Sequence, residues 1–492
     1  MFARIGNIVG YILILLGFSE IVPIGVAAYY EEYELIMPFM ISALVTIFIG
    51  GALFFSFKDL DVEASNAELL LLLIVIWTGL PLFASMPFMT SGLLTKLTDA
   101  YFEAASALTT TGSTVLVNLD LVPHALLFWR ALLQWEGGIL VFTLAVAILP
   151  PAKIGGLELF NSALPRREVR NRGWRSLRSR LLYAVVPLSK VYMILTLICT
   201  ILLLFSGIGL FDSLTTAMAT LSSGGFTTHS GAGDNPFSGW TEFILIPFML
   251  LAAMNFTYHW AFLMGGHKVR YYKESLEIRY FLYFMGVGFL LLLFSFMMSP
   301  ELRETGLWRL VGLAAFTVAS VSTTTGFAPD MAGLMPLSVV ILCSALLFIG
   351  GTTGSTAGGF KILRVHLLLK HANRELSRLI HPHSIVPVRM RDLNVQEPVL
   401  YAVWTLLFVV ISAIALATLG YAMMGQGLQS GLGISLANLY SAGGLVAIFA
   451  PDFVGYHSLS MAGKWLTSFI MIMGRLEVIA LMVLFMPSFW RN

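Results

Sequence analysis

Charge is scarce in this sequence, and the scarcity excludes more than any motif does. Of 492 residues only 11% are Asp, Glu, Lys or Arg, while 58% are hydrophobic. That charged share is about half of what a soluble domain carries. A water-soluble globule of this make-up would leave broad apolar patches exposed, whereas a lipid bilayer supplies the missing apolar solvent. Cysteine is nearly absent as well. Cys199 and Cys343 both lie in apolar runs, which argues against a disulfide framework and against a thiolate metal site. No P-loop, no H-E-x-x-H pair and no nucleophile–base arrangement is present, so no enzyme activity is expected and any nucleotide should be bound by a partner. Nothing in the pattern suggests a nucleic-acid partner.

What is there is a succession of apolar runs of about 20 residues, the length that crosses a bilayer. Spans are expected near 8–30, 36–56, 68–88, 124–149, 181–207, 238–265, 276–299, 335–371, 396–424 and 461–489, ten in all, the eighth interrupted. The opening MFARIGNIVGYILILLGF has the charge and apolar run of a signal peptide but no clear small-x-small cleavage site, and is read as a retained first helix.

The net charge of +2 is less informative than its distribution. Segment 150–180 holds eight basic residues, including Lys153, Arg166, Arg172 and Arg180; segment 264–280 holds four, and 360–392 seven. The positive-inside rule makes these three segments cytoplasmic and puts both termini there too. The sparsely basic Glu31–Glu34 and Ser230–Asn235 then lie outside.

Four segments between spans are too short to cross. They read FEAASALTTTGST (102–114), LTTAMATLSSGGFT (214–227), FTVASVSTTTGF (316–327) and SLANLYSAGGL (435–445), and all fall on the outer side. Irregular backbone at membrane depth survives only when buried in protein or lining a wet cavity. Four such loops in matching context indicate an internal repeat. The expected fold is an all-α integral membrane protein with four pseudo-repeats of helix–pore loop–helix around one pore. Residues 1–60 would form an extra N-terminal helix pair, with repeats at 61–150, 181–266, 275–372 and 394–492.

The chemistry of this pattern suits a cation. A short helix dipping from outside points its partly negative C-terminal end inward. Glycine lets the next residues turn carbonyls toward the axis, and rings of carbonyls can replace the hydration shell of K⁺. Placing Gly112, Gly225, Gly326 and Gly444 in one column sets Thr111, Gly224, Thr325 and Gly443 before them, then Thr110, Ser223, Thr324 and Ala442. Leu108, Leu221, Ser322 and Tyr440 stand four positions before the column. These twelve residues from column to hydroxyl are the expected K⁺ filter. Repeats two and four each carry a glycine pair, so a slip of one residue stays open there.

Two features lie below the filter. GGTTGSTAGG cuts the eighth span with five glycines in ten positions (Gly350, Gly351, Gly354, Gly358, Gly359), which no stable helix tolerates at about 1 kcal/mol lost per glycine relative to alanine. Arg475 sits within the last span, where a guanidinium must face protein or water; Glu477, two residues on, is off its helix face. Either a salt bridge to another helix or a fixed charge tuning cation occupancy would account for it. Glu136 is an acid in an apolar stretch, with Arg130 its expected partner. Asn255 and His259 are expected to make packing hydrogen bonds. The Arg-rich segment 166–180 is a solvated topology signal or part of a partner's docking surface.

At SALTTTGSTV (106–115), LQWEGG (133–138), LAVAILP (144–150), GGTTGSTAGGFKILR (350–364) and GRLEV (474–478) the chain resembles the TrkH family of bacterial potassium uptake subunits. That family lies within the wider superfamily of KtrB and the plant HKT proteins, and the leading helix pair favours the TrkH branch. The resemblance implies K⁺ uptake across the bacterial inner membrane through one pore per protomer of a homodimer. It further implies a gate at 350–359 and regulation by a cytoplasmic nucleotide-binding subunit of the TrkA type. Alternatives from the residues alone are a secondary transporter with inverted repeats, against which the common side of the four loops counts, and a Na⁺-permeable pore of the same superfamily.

Overall fold

The structure, a computed structural model, describes residues 2–57, 65–147, 177–230, 239–264, 270–303, 306–329, 332–381, 387–390 and 393–476. Most of the Arg-rich segment, position 232 and Glu477 lie outside the described residues.

Helices α1 (Phe2–Ser19), α2 (Val22–Tyr29) and α3 (Ile36–Ser56) make up the leading pair, with α1 and α2 following one another as a single crossing. Repeat one contains α4 (Asn66–Ala84), α5 (Leu97–Leu108) and α6 (His124–Ala147). Repeat two contains α7 (Leu177–Phe205), α8 (Leu210–Leu221), α9 (Trp240–Ala252) and α10 (Phe256–Met264). Repeat three contains α11 (Leu276–Met298), α12 (Leu307–Ser322), α13 (Leu337–Ile349) and α14 (Ile362–Ile380). Repeat four contains α15 (Glu397–Met423), α16 (Leu428–Leu439) and α17 (Met461–Arg475). Arg389–Met390 pairs antiparallel with Leu393–Asn394, a two-residue hairpin in an otherwise helical chain.

Local chemistry starts these helices where they start. Ser65 and Glu68 form a reciprocal capping box at α4, and Ser275 and Ser460 accept the first free amides of α11 and α17. The re-entrant helices α5, α8 and α16 are 12 residues each. At 1.5 Å per residue that is about 18 Å, well short of the roughly 30 Å hydrocarbon core.

Seven of the described helical segments are long and apolar enough to cross a membrane, or eight if the bent pair α9–α10 is one span. Of the ten spans expected, the remaining two are α13, cut at Gly350 as foreseen, and α17, whose continuation lies outside the described residues. The sixth span differs from the expectation of a continuous helix. It breaks at Ala253–Asn255, and α10 leaves at 97° to α9. Neither proline nor glycine sits at the break; Asn255 Oδ1 accepts from Thr257 N (2.9 Å) and Thr257 Oγ1 (2.7 Å), restarting the chain as a fresh helix.

The repeats pack in a ring. The second helix of one repeat lies on the re-entrant helix of the next: α6 on α8, α9 on α12, and α17 back on α5. The apolar core divides accordingly. One cluster gathers the leading pair with repeats one and two, a second gathers repeats three and four. Where the two lobes meet, the buried residues turn polar, with Thr109, Thr110, Thr111, Ser223, Thr324 and Thr325 all without solvent exposure.

Candidate functional site

Each re-entrant helix ends in the same way. Its last residue is Leu108, Leu221, Ser322 or Leu439, and two residues on a non-glycine residue turns left-handed: Thr110 (φ 49°), Ser223 (54°), Thr324 (52°) and Ser441 (56°). One hydrogen bond closes every turn: Thr111 N to Ser106 O, Gly224 N to Ala219 O, Thr325 N to Ser320 O and Ala442 N to Ala437 O, at 2.9, 2.9, 3.0 and 2.7 Å. A left-handed non-glycine residue costs about 1–2 kcal/mol. Four at one position are strain held in place by the surrounding fold, the mark of a functional site.

This geometry corrects the register in repeat four. The residue equivalent to Gly112, Gly225 and Gly326 is Gly443, not Gly444, and Leu439 rather than Tyr440 stands four positions before it. In sequence the Gly443–Gly444 pair offers two equal choices, and only the end of α16 decides between them. After Ala442 the chain enters a 3₁₀ turn, Gly443–Leu445, so Gly443 lacks the positive φ of Gly112 (80°), Gly225 (69°) and Gly326 (91°). Gly444 still lines the ring, since a methyl there would lie 2.3 Å from Gly326 O and 3.8 Å from Gly112 O. In repeat two the expected register stands.

The loops close a circle. A methyl on Gly112 would sit 2.1 Å from Gly224 O and one on Gly225 2.2 Å from Thr325 O; Gly443 N donates to Thr111 O at 2.6 Å. Glycine is required at these two left-handed positions by both torsion and space. In repeats one and three, hydroxyls pair within the loop: Thr109 with Thr111 at 2.8 Å, Thr323 with Thr325 at 2.7 Å. Repeats two and four have Gly224 and Ala442 at that place and are braced from outside. Gln134 Nε2 donates to Gly224 O (2.8 Å) and Phe226 N to Gln134 Oε1 (3.3 Å). Tyr456 Oη donates to Gly443 O (3.1 Å), while Asn438 links Tyr456 to Ser113. Gln134, Asn438 and Tyr456 were not anticipated. A buried glutamine in the apolar run preceding two glycines is the one sequence signal that pointed at them. Among the described residues no group of three His, Cys, Asp or Glu could hold a metal, so the oxygens offered around the axis are carbonyls and hydroxyls.

Against this ring lies the loop 350–361, which touches repeats two, three and four directly. Ser223 Oγ is 2.7 Å from Thr356 Oγ1, Gly358 N donates to Thr324 Oγ1 at 2.6 Å, and a methyl on Gly358 would meet Tyr440 O at 2.1 Å. Arg475 supplies the tie to repeat one. Its Nε donates to Thr109 O (2.6 Å), Nη2 to Thr110 O (3.5 Å) and to Thr110 Oγ1, and Nη1 to Thr356 O (2.9 Å). The guanidinium therefore joins the first re-entrant loop to the loop 350–361, using carbonyls rather than a carboxylate.

Two expected partnerships are rearranged. Arg130 does not meet Glu136; six residues apart on a helix they point about 120° from one another. Arg130 Nε instead donates to Glu103 Oε1 at 2.7 Å, both groups buried, and its guanidinium lies 4.0 Å over the Phe226 ring. Glu103 also accepts from Thr114 Oγ1 and Val115 N, fastening the exit of the first re-entrant loop. Glu136 lies beside Ser19 of α1, at the seam between the leading pair and the core. His259 bonds Tyr272 Oη (2.7 Å) and Leu251 O (2.9 Å), the packing role expected of it.

Beyond the re-entrant loops, Ser230 Oγ accepts from Leu119 N, and His229 Nδ1 is 2.9 Å from Asp120 Oδ1. Burial alone would lower the His229 pKa, but Asp120 and Asp212 outweigh it and raise the value above that of free histidine. The hydrogen bond to His229 holds Asp120 below the usual carboxylate range.

Comparison with known proteins gives a consistent likeness. The TrkH family, described as cation transport protein, matches over residues 35–299 and 309–492. The chain is 34% identical over 496 residues to the Trk system potassium uptake protein TrkH of Escherichia coli (strain K12), covering 100% of both. It is 28% identical to the Trk system potassium uptake protein TrkG of the same strain, covering 98% of this chain and 97% of that one. The crystal structure of the potassium transporter TrkH from Vibrio parahaemolyticus superposes with a TM-score of 0.88 at 31% identity, covering 100% of both chains.

Proposed function

The chain belongs to the TrkH family of cation transport proteins, and from that premise we propose that it takes up K⁺ across the membrane through the ring of four re-entrant loops. The observation that carries this reading is the left-handed turn repeated at Thr110, Ser223, Thr324 and Ser441, which sets four strained loops around one axis. The work is transport, as in the potassium uptake relatives. The filter residues are Thr110, Thr111, Gly112, Ser223, Gly224, Gly225, Thr324, Thr325, Gly326, Ser441, Ala442, Gly443 and Gly444. K⁺ is cargo, stripped of water by carbonyl and hydroxyl oxygens that replace its hydration shell.

The loop 350–361 is the gate. Gly350, Gly351, Gly354, Gly358 and Gly359 give it the freedom to move, and Arg475 adds a positive charge where an ion must pass. At an effective dielectric near 20, unit charges about 8 Å apart repel by roughly 2 kcal/mol, so the loop is the stronger barrier and the arginine the weaker. The protein is a multi-pass membrane protein, sited in the bacterial inner membrane with both termini cytoplasmic. It works as a homodimer whose gate responds to a TrkA-type subunit, which binds the nucleotide.

Ion flux in liposomes tests the reading. K⁺ and Rb⁺ pass and Na⁺ and Li⁺ are discriminated against; equal permeability for all four refutes it.

A further inference from the structure

The gate loop is held in place by something other than the filter it blocks. Breaking the sixth span at Ala253–Asn255 frees carbonyls that an intact helix would use, and the loop takes them. Thr352 N and Oγ1 donate to Ala253 O at 3.0 and 3.1 Å, Thr356 N and Oγ1 to Ala252 O at 3.3 and 3.1 Å, and Phe256 N returns a bond to Gly354 O at 3.3 Å. The break is thus a seat shaped for the loop, with Gly351 packed so closely that a methyl would lie 3.0 Å from Ala253 O.

A carboxylate on α11 reaches the loop beside that seat. Glu277, buried in the first turn of α11, accepts from Thr353 N at 3.3 Å and from Thr353 Oγ1. Lys361, at the far end of the loop, and Arg364, in the first turn of α14, add positive charge near it. Glu277 therefore holds the loop near its start, beside the seat.

We infer that Glu277 is a positioning residue that latches the gate loop onto the broken sixth span. Opening the pore then requires release of Thr353 from Glu277 together with departure of Thr352 and Thr356 from the break. This rests on the reading of 350–361 as the gate, yet the latch itself can be tested without it.

The experiment uses the full-length protein in liposomes, with Glu277→Ala, Glu277→Gln and Thr353→Val, and reads two quantities. Hydrogen exchange of the 350–361 amides quickens about tenfold in Glu277→Ala and Thr353→Val, the scale of losing a hydrogen bond to a charged group. It quickens by less in Glu277→Gln, whose amide oxygen still accepts from Thr353 but carries no charge. Basal Rb⁺ flux rises in step while the K⁺ over Na⁺ preference is unchanged, and the double variant Glu277→Ala with Thr353→Val adds little beyond either alone. Unchanged loop exchange in Thr353→Val, a substitution of similar volume that is expected to fold, overturns the latch. Quickened exchange without any rise in flux leaves the latch standing and refutes the loop as gate.

Discussion

A serine at position 112 tests whether selectivity resides in the geometry of the ring. Gly112 is left-handed (φ 80°), and a methylene there would stand 2.1 Å from Gly224 O. An ordinary contact of about 3.4 Å is reached only if the wall shared by repeats one and two opens by about 1.3 Å. Relief by moving Gly224 is opposed by Gln134, which holds that carbonyl at 2.8 Å. The left-handed torsion adds about 1–2 kcal/mol for any side chain. If that strain relaxes into the ring, it corresponds to about a five- to thirtyfold change in an equilibrium ratio. Gly112→Ser and Gly112→Ala should both lower the preference for K⁺ over Na⁺ on that scale, measured as Rb⁺ uptake into liposomes under Na⁺ competition. Gly51→Ser is the control, because Gly51 has nothing within 4 Å of its missing side chain. Full discrimination in a well-folded Gly112→Ala protein would refute the argument that the Gly112–Gly224 contact defines the ring.

Three further outcomes are expected. Arg475→Ala raises basal flux by a few-fold, and Arg475→Lys does not restore the unmodified rate, because one ammonium cannot reach Thr109 O, Thr110 O and Thr356 O together; reduced protein yield with unchanged flux would make the arginine structural. Cysteine in place of Leu376, which is 58% exposed, is labelled only from the cytoplasmic side and cysteine in place of Leu121, 80% exposed, only from outside, as is one at 232; labelling of 121 from the cytoplasm breaks the common orientation of the loops. The Asp120–His229 tie depends on pH: His229 has its pKa raised in the folded protein, so the tie is fully present below the free histidine value and is lost as pH rises through the raised one. Protection of the 118–121 amides, measured against the intrinsic base-catalysed rate, therefore falls on the alkaline side, and His229→Gln removes that fall.

The four loops were legible because each carries small and hydroxyl residues after a short apolar stretch, a pattern with few other uses at membrane depth. The register of the fourth was not, because neighbouring glycines are chemically identical until the end of α16 picks one. The break in the sixth span was hidden for a different reason. FMLLAAMNFTYHW contains no helix breaker at Ala253, and the only sign was Asn255 two residues before Thr257, a capping pattern easily read as a packing contact. Proximity in sequence also misled at Arg130, whose partner Glu103 lies on another helix.

The two ways of bracing the filter loops make the pore fourfold in its path but twofold in its stiffness. One diagonal, repeats one and three, is stiffened by threonine pairs inside the loops themselves. The other, repeats two and four, borrows its rigidity from Gln134 and from Tyr456 with Asn438, side chains that stand outside the turns themselves. A passing ion is thus held between two walls whose compliance is written in their own residues and two whose compliance is set by their neighbours. Ion preference can drift in this architecture through substitutions at positions that never meet an ion, with all four loop sequences left intact.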